Sequence, residues 1–147
     1  MNCLNGKRYD WPPRNGNCSA VYEVRVTTEL SAAHQLRLYE GELEPLHDHA
    51  WKVEAVFRGP ELDRIGVLID FVTVKKVLDD ILEPLHGQNL NESALLAGVN
   101  PSAEQLAYCV FMQLRQRLGD PSYLKAVYVR EAPGCIAAYW EELPNPP

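Results

Sequence analysis

The chain alternates apolar and polar residues in two early segments. Residues 20–30 are AVYEVRVTTEL and residues 49–59 are HAWKVEAVFRG, and both are rich in the β-branched and aromatic residues that strands favour. A period of two is typical of a strand with one buried face. Glycine and proline at positions 59 and 60 predict a turn at the end of the second segment. We therefore expect an antiparallel pair of strands joined by the loop 35–46.

The period becomes helical in the segment that begins at residue 66, GVLIDFVTVKKVLDDILEPLHG. Asp70 or Thr73 is suited to cap the start of this helix, and Pro84 followed by Gly87 ends it. Apolar residues recur three and four positions apart, at Val74, Val77, Leu78, Ile81 and Leu82. This spacing predicts a helix with one buried face.

A second helix is predicted within residues 100–120, NPSAEQLAYCVFMQLRQRLGD. Ser102 is suited to be its N-cap, Glu104 falls in its first turn, and Gly119 ends it. The hydroxyl of a serine at the N-cap satisfies a backbone N–H group that has no partner inside the helix.

Two further alternating segments, residues 123–131 and 135–143, are separated by the turn APG and predict a last hairpin. The order ββααββ indicates an α+β domain, with two hairpins in one antiparallel sheet and two helices on one face. Residues 1–19 are rich in proline, glycine and asparagine, so we expect an irregular extension there and a single folded domain over residues 20–147.

Composition narrows the functional classes. A chain of 147 residues corresponds to about one domain, and its net charge of −6 argues against nucleic-acid binding. It contains no apolar run of the roughly 20 residues that a membrane span needs. The N-terminus has no apolar central region like that of a signal peptide, and no cysteines have C-x-x-C spacing. We therefore expect a cytoplasmic protein that binds neither nucleic acid nor membranes.

Three of the four histidines, His34, His47 and His49, fall within sixteen residues. Residues i and i+2 of a strand project from the same face, so His47 and His49 converge, and His34 approaches from the end of the preceding strand. Three imidazoles leave one tetrahedral position open, as in catalytic zinc sites. Nitrogen-only ligation favours zinc, with iron and nickel as alternatives.

Two other interpretations of these histidines compete with a zinc site. They are surface or core residues grouped by chance, or H-x-H followed by Glu54 is the first half of a cupin metal motif. The second half of that motif, a further histidine in a Gly/Pro-rich strand, is missing, and two central helices do not suit a jelly roll. We favour the zinc site.

Several segments resemble one known family. ELSAAHQL (29–36) followed by LHDHAWKV (46–53) resembles the F-x-A-A-H … H-G-H-x-Y/F-x-V pattern of the 6-pyruvoyltetrahydropterin synthase and 6-carboxytetrahydropterin synthase family. The similarity runs in register from about residue 20 to residue 140. Three further segments match in the same order: GVLIDFVTVK (66–75), NPSAEQLA (100–107, family N-P-T-x-E-x-x-A) and VREAPGCIAAY (129–139).

The resemblance implies a T-fold whose sheets assemble into a barrel of several subunits, usually a homo-hexamer, with active sites between subunits. It implies 7,8-dihydroneopterin triphosphate as substrate and Zn²⁺ held by the three histidines. Glu131 falls at the family position that anchors the pterin, where a carboxylate suits the two parallel N–H donors of the pterin ring. Ser102 replaces the family threonine and either contacts the pterin or caps the helix; we favour the cap.

The chain departs from the family at the catalytic cysteine, because no cysteine occurs between Cys18 and Cys109. Glu44, in EPLHDH, resembles a variant subgroup in which E-x-x-H-G-H replaces that cysteine, and whose members are proposed to form 6-hydroxymethyldihydropterin. A carboxylate beside zinc is able to act as the general base. We therefore predict Glu44 as the catalytic base, whereas Glu42 matches no family position.

The family segment L-D-H-x-x-L-N appears here as LHGQNLN, residues 85–91, so the Asp–His pair is absent. His86 is the remaining histidine able to shuttle protons near neutral pH, and the alternative is a histidine favoured by a helix C-terminus. Asp48 replaces the glycine of H-G-H and is expected to point away from the metal.

Taken together, the residues and the resemblance predict a zinc-dependent lyase acting on the side chain of a dihydropterin triphosphate. Arg37, Lys52 and Arg130 are the cations available for the phosphates. The alternative is a non-catalytic, metal-containing pterin- or purine-binding protein that has lost turnover.

Overall fold

A computed structural model describes residues 21–119 and 121–141, and the backbone of two short strands before them, β1 (Cys3–Leu4) and β2 (Lys7–Arg8). These two strands pair with each other and not with the main sheet. The rest of the predicted extension over residues 1–19 lies outside the described residues, so the domain boundary at residue 20 stays a prediction.

The main sheet has four antiparallel strands in chain order. They are β3 (Tyr22–His34), β4 (His47–Gly59), β5 (Leu124–Ala132) and β6 (Cys135–Trp140). Between the two hairpins lie α1 (Phe71–Leu82) and α2 (Ala103–Arg117), with short 3₁₀ turns at Glu83–Leu85, Leu90–Glu92 and Ala94–Leu96. The predicted α+β class and ββααββ order are confirmed.

The core lies between the helices and one face of the sheet. Trp51, Val53, Ala55 and Phe57, at alternate positions of β4, are completely buried. The side chains of β4 that alternate with them are less buried, apart from Val56 at 1% exposure, and Glu54 among them accepts from Arg25 of β3 at 2.8 Å. The helices contribute the buried residues Val74, Leu78, Ile81, Leu82, Leu106, Val110 and Leu114.

Both strands of the first hairpin are longer than the sequence predicts. The alternation of β3 continues beyond residue 30, because Leu30, Ala32 and His34 are all buried at 3%, 1% and 0% exposure. β4 begins two residues before position 49, and His34 pairs directly with His47. The predicted loop therefore connects two histidines that both belong to strands.

The helix ends follow from their capping residues. Asp70, rather than Thr73, caps α1, because its carboxylate accepts from the backbone N–H groups of Val72 and Thr73. Those bonds and one from the Thr73 hydroxyl, which has the largest effect, lower the pKa of Asp70. Ser102 Oγ caps α2 by accepting from Gln105 N at 3.3 Å, as predicted. Within the described part of the chain, no helix is long and apolar enough to cross a membrane.

Candidate functional site

Three histidines meet at the end of the β3–β4 hairpin. The register sets His34 opposite His47, and His49 lies two positions further along β4 on the same face. The ring centroids are separated by 4.7 Å for His34 and His47, 5.2 Å for His34 and His49, and 4.8 Å for His47 and His49. The structure thus brings together the three residues that the sequence predicted as metal ligands.

Hydrogen bonds to carbonyl groups fix the orientation of two of these rings. His34 Nδ1 lies 2.7 Å from the carbonyl oxygen of Pro101, and His47 Nδ1 lies 2.8 Å from that of Pro45. A carbonyl oxygen only accepts, so each Nδ1 must carry the proton and donate it. In the neutral ring the lone pair is then on Nε2.

A carboxylate from the second hairpin completes the group. Glu131 of β5 places Oε1 3.2 Å from His49 Nε2 and 3.5 Å from His34 Nε2. One ligand atom from each of Glu131 and the three histidines lies within 4.8 Å of every other. Glu131 was predicted to anchor a pterin, and its position among the candidate ligands could not be read from the sequence, because it depends on the pairing of β5 with β4.

The chemistry of this group fits a cation. His34 Nε2 and His49 Nε2 are buried without a hydrogen-bond partner among the described residues. Lone pairs on neutral imidazoles and a carboxylate oxygen repel one another at such distances unless a proton or a metal ion lies between them. Imidazole and carboxylate are ligands that zinc takes in tetrahedral sites. The four residues therefore fit a divalent metal.

Trp51 supports the cluster from the core side. Its ring packs edge-on against His34 at 4.8 Å and against His49 at 5.5 Å between centroids. Its Nε1–H donates to the carbonyl oxygen of Ala32 at 3.0 Å. The sequence signal was the alternation His47, His49, Trp51, which puts the indole on the same face as the two histidines.

Glu44 lies beside the cluster and Glu42 does not. Glu44 Oε1 is 4.0 Å from His47 Nε2 and accepts from the backbone N–H of Leu36 at 2.8 Å. The backbone N–H of Glu44 donates to the carbonyl oxygen of the same Leu36. Glu42 is exposed, and its carbonyl oxygen accepts from Leu38 N within the loop. The structure therefore distinguishes the two glutamates that the sequence offered.

Two asparagines hold the first residues of this loop. Asn91 donates to the carbonyl oxygen of Gln35 at 2.8 Å and accepts from its N–H at 3.0 Å. Asn100 makes the same pair of bonds with Arg37, at 2.9 and 2.8 Å. Both asparagines belong to segments that resemble family motifs, yet sequence analysis gave them no role. They fix the direction in which the chain leaves His34.

His86 lies apart from the cluster in the same subunit. Its Nδ1 accepts from the backbone N–H of Ser31 at 3.3 Å, beside the edge of β3. Ser31 precedes His34 by three residues, or about 10 Å along a strand. His86 lines a small pocket with Thr28, Glu29, Leu30, Asp79, Leu82 and Glu83. Its predicted role in proton transfer is not tested by this position.

The remaining predicted residues lie outside the histidine cluster. Asp48 is exposed between two half-buried histidines, in keeping with the expectation that it points away from the metal. Arg37 is exposed in the loop. Lys52 of β4 lies opposite Arg130 of β5 in the strand register. Ser102 caps α2, which leaves open whether it also contacts a ligand.

The sequence of this chain is similar to those of known proteins. The family model described as 6-pyruvoyl tetrahydropterin synthase matches residues 23–142. A dihydroneopterin monophosphate aldolase from Pyrococcus furiosus is 32% identical over 102 residues, which cover 69% of this chain and 82% of the aldolase.

Two solved structures have the same fold. The 6-pyruvoyl tetrahydropterin synthase of Caenorhabditis elegans has a TM-score of 0.73 at 22% identity, and the match covers 84% of this chain and 97% of that chain. A catalytic-residue mutant of the Plasmodium vivax 6-pyruvoyltetrahydropterin synthase, glutamate to alanine, has a TM-score of 0.69 at 16% identity and covers 84% and 99%. The expected T-fold is confirmed.

Proposed function

Because the chain belongs to the 6-pyruvoyl tetrahydropterin synthase family, we propose that it is a zinc-dependent lyase that cleaves the side chain of a phosphorylated 7,8-dihydroneopterin. The observation that carries this proposal is the carboxylate of Glu44, 4.0 Å from the Nε2 atom of His47 in the histidine cluster. A base and a candidate metal centre then act on the same part of a bound substrate.

His34, His47 and His49 would hold the zinc through their Nε2 atoms. The bound metal would serve as a Lewis acid that makes a side-chain hydroxyl of the pterin more acidic. The Nδ1–H bonds of His34 and His47 to carbonyl groups keep the Nε2 lone pairs available, and partners of this kind raise the basicity of a ligating imidazole.

Glu44 is the proposed general base. A carboxylate is ionised at neutral pH without activation, whereas an ordinary thiol is mostly protonated. Glu44 removes the proton from the hydroxyl on the second side-chain carbon, the bond between the first and second carbons breaks, and the electron pair passes to the first carbon and the pterin ring. A proton must then return to the first carbon, which yields 6-hydroxymethyl-7,8-dihydropterin and a phosphorylated glycolaldehyde.

His86 is the proposed proton donor for that last step. Its Nδ1 accepts a backbone N–H bond, so in the neutral ring Nε2 carries the proton. Since His86 lies apart from the cluster of its own subunit, it would serve the site of a neighbouring subunit in a cytoplasmic homo-oligomer, usually a hexamer in the family that the chain resembles.

Carbon–carbon cleavage is favoured over the synthase reaction by two observations. No cysteine lies between Cys18 and Cys109, so the family position of the catalytic cysteine, shortly before His47, holds no thiol. The Pyrococcus furiosus relative is named an aldolase and acts on a monophosphate, according to its name. The Plasmodium vivax synthase, in which a glutamate is a catalytic residue, supports the use of a carboxylate in this fold.

The test is to incubate zinc-loaded protein separately with dihydroneopterin triphosphate and dihydroneopterin monophosphate and to identify the products by mass. We expect 6-hydroxymethyldihydropterin from at least one of the two. A 6-pyruvoyl product would instead assign the synthase reaction. Bound but unchanged pterin in both incubations would mean that the protein is the non-catalytic binding protein and that the proposed lyase activity is wrong.

A further inference from the structure

Glu131 occupies a position that does not suit a residue that binds only the pterin. Its Oε1 atom lies 3.2 Å from His49 Nε2 and 3.5 Å from His34 Nε2. Two ligand atoms of one tetrahedral zinc, each about 2.05 Å from the metal, are about 3.3 Å apart. The distances between the carboxylate and the two imidazoles are those of ligands that share one metal ion.

We propose that Glu131 is a fourth protein ligand that closes the metal site when no substrate is bound. This inference rests on the proposed metal function of the three histidines. A three-histidine site leaves one tetrahedral position open to water or substrate, and Glu131 Oε1 fills it from β5. The substrate-free site is then closed by the protein itself.

Among the described residues, Glu131 has no other charged partner. Its ion pairs are those with His34 and His49, and both of these Nε2 atoms are buried without a hydrogen bond. A protonated imidazole would also satisfy the carboxylate. For His34, however, a second proton would bury a full positive charge on a ring that is 0% exposed and whose Nδ1–H is already bonded to Pro101.

The closed site links metal ligation to pterin recognition. Two parallel N–H donors of a pterin require both carboxylate oxygens. Glu131 therefore cannot bind the pterin in this way while Oε1 ligates the metal. A pterin that takes Glu131 away from the cluster would open the position that its own side chain needs, so binding of the ring and opening of the metal site are coupled.

The experiment uses Co²⁺-loaded full-length protein and azide, which binds an open metal position and changes the visible spectrum. We expect wild type to be insensitive to azide, and Glu131→Ala to bind it with at least a tenfold higher affinity. Asp48→Asn is the matched control, because Asp48 is an exposed carboxylate between two of the ligands, and it should behave as wild type. Equal azide affinity in wild type and Glu131→Ala would overturn the proposal.

A second measurement uses a variant that does not shorten the side chain as Glu131→Ala does. Glu131→Gln keeps the shape of the side chain and removes its charge, and competition with a chelator gives its zinc affinity. We expect at least about a tenfold loss relative to Asp48→Asn, because even partners outside the ligand set typically contribute 10- to 100-fold. Unchanged zinc affinity in Glu131→Gln would also contradict the proposal.

Neither experiment includes a pterin, so the lyase proposal and the proposal of Glu131 as a fourth ligand are tested independently of each other. Absence of turnover with both phosphorylated dihydroneopterins would reject the lyase and leave the azide result intact. Azide binding to the wild type would reject the fourth ligand and leave the lyase intact.

Discussion

The histidine cluster and His86 differ in what their Nδ1 atoms contact. In the cluster, His34 and His47 donate from Nδ1 to carbonyl oxygens, so in the neutral rings the lone pair is on Nε2. In His86, Nδ1 accepts from the N–H of Ser31, so in the neutral ring Nε2 carries the proton. In their neutral forms, two imidazoles of the cluster thus present an Nε2 lone pair, whereas His86 presents an Nε2–H group, and the partner of Nδ1 makes the difference.

The histidine cluster and His86 also differ in solvent exposure. His34 is completely buried and packs against Trp51, whereas His86 is exposed at the end of the 3₁₀ turn Glu83–Leu85. A fixed, desolvated ring suits a ligand whose lone pair must keep its direction. An exposed ring suits proton exchange with solvent or with a neighbouring subunit. The fold therefore places the same residue type in two different environments.

Removing one histidine from each region should have the largest effect on metal binding and show whether the two regions differ in role. His34→Ala should lower zinc affinity by more than about 100-fold, because a direct ligand contributes more than the partners outside the ligand set. Elemental analysis of the purified protein after dialysis measures the metal content, and circular dichroism verifies that the variant is folded.

His86→Ala is the matched control for that experiment. Its ring lies apart from the cluster, so we expect zinc content equal to that of wild type and a loss of turnover only. Loss of zinc in His86→Ala, or its retention in His34→Ala, would show that the two regions do not divide the roles in this way.

Local periodicity in the sequence was enough to predict the histidine cluster, but not the contacts of His86. The i, i+2 spacing of His47 and His49 and the place of His34 at the end of the preceding strand predicted convergence, and the Ser102 N-cap was also correct. Bonds between residues distant in sequence have no such local pattern. Ser31 is 55 residues from His86, and Asn100 is 63 from Arg37, so these partners became visible only in the folded chain.

Glu131 illustrates the same limit at the candidate metal site. The resemblance marked Glu131 as functional, but its contact with His49 follows from the pairing of β5 with β4. β4 and β5 are separated along the chain by both helices, so their register leaves no local pattern in the sequence. The residue could therefore be identified from the sequence, whereas its partner could not.

A second prediction separates the base from the metal ligands. Glu44→Gln should reduce turnover by roughly 100-fold or more, the effect typical of removing a general base. The amide oxygen of glutamine is still able to accept from Leu36 N, so the loop contact at 2.8 Å is retained and zinc content should not change. Product formation from the phosphorylated dihydroneopterins, measured beside zinc content, checks both expectations.

Glu42→Gln is the control for Glu44→Gln. Glu42 is exposed and only its backbone carbonyl is bonded within the loop, so turnover should stay close to that of wild type. Full activity in Glu44→Gln would move the base elsewhere, and His86 would be the next residue to test.

A third prediction concerns the loop that carries Glu44. Asn100→Ala removes two hydrogen bonds to the backbone of Arg37 and should lower the free energy of unfolding by about 1–3 kcal/mol, at 0.5–1.5 kcal/mol per bond. Thermal unfolding measures this loss, and amide hydrogen exchange at Arg37 should accelerate. Gln116→Ala, an exposed amide on α2, is the control and should change neither quantity. Unchanged exchange at Arg37 in Asn100→Ala would mean that Asn100 does not hold the loop.

The smallest expected effect is that of Ser102→Ala, which distinguishes an N-cap from a contact with the pterin. Ser102 follows Pro101, whose carbonyl accepts from His34, so the start of α2 adjoins the cluster. If Ser102 is only the N-cap, Ser102→Ala should lower the free energy of unfolding by about 1 kcal/mol and leave pterin affinity unchanged. Ser102→Asp keeps an N-cap acceptor and should restore stability.

A loss of pterin affinity in Ser102→Ala that Ser102→Asp does not restore would instead assign the hydroxyl to the ligand. The two variants compare cap and contact at one position, because aspartate replaces the serine as an acceptor for Gln105 N but has no hydroxyl donor when ionised.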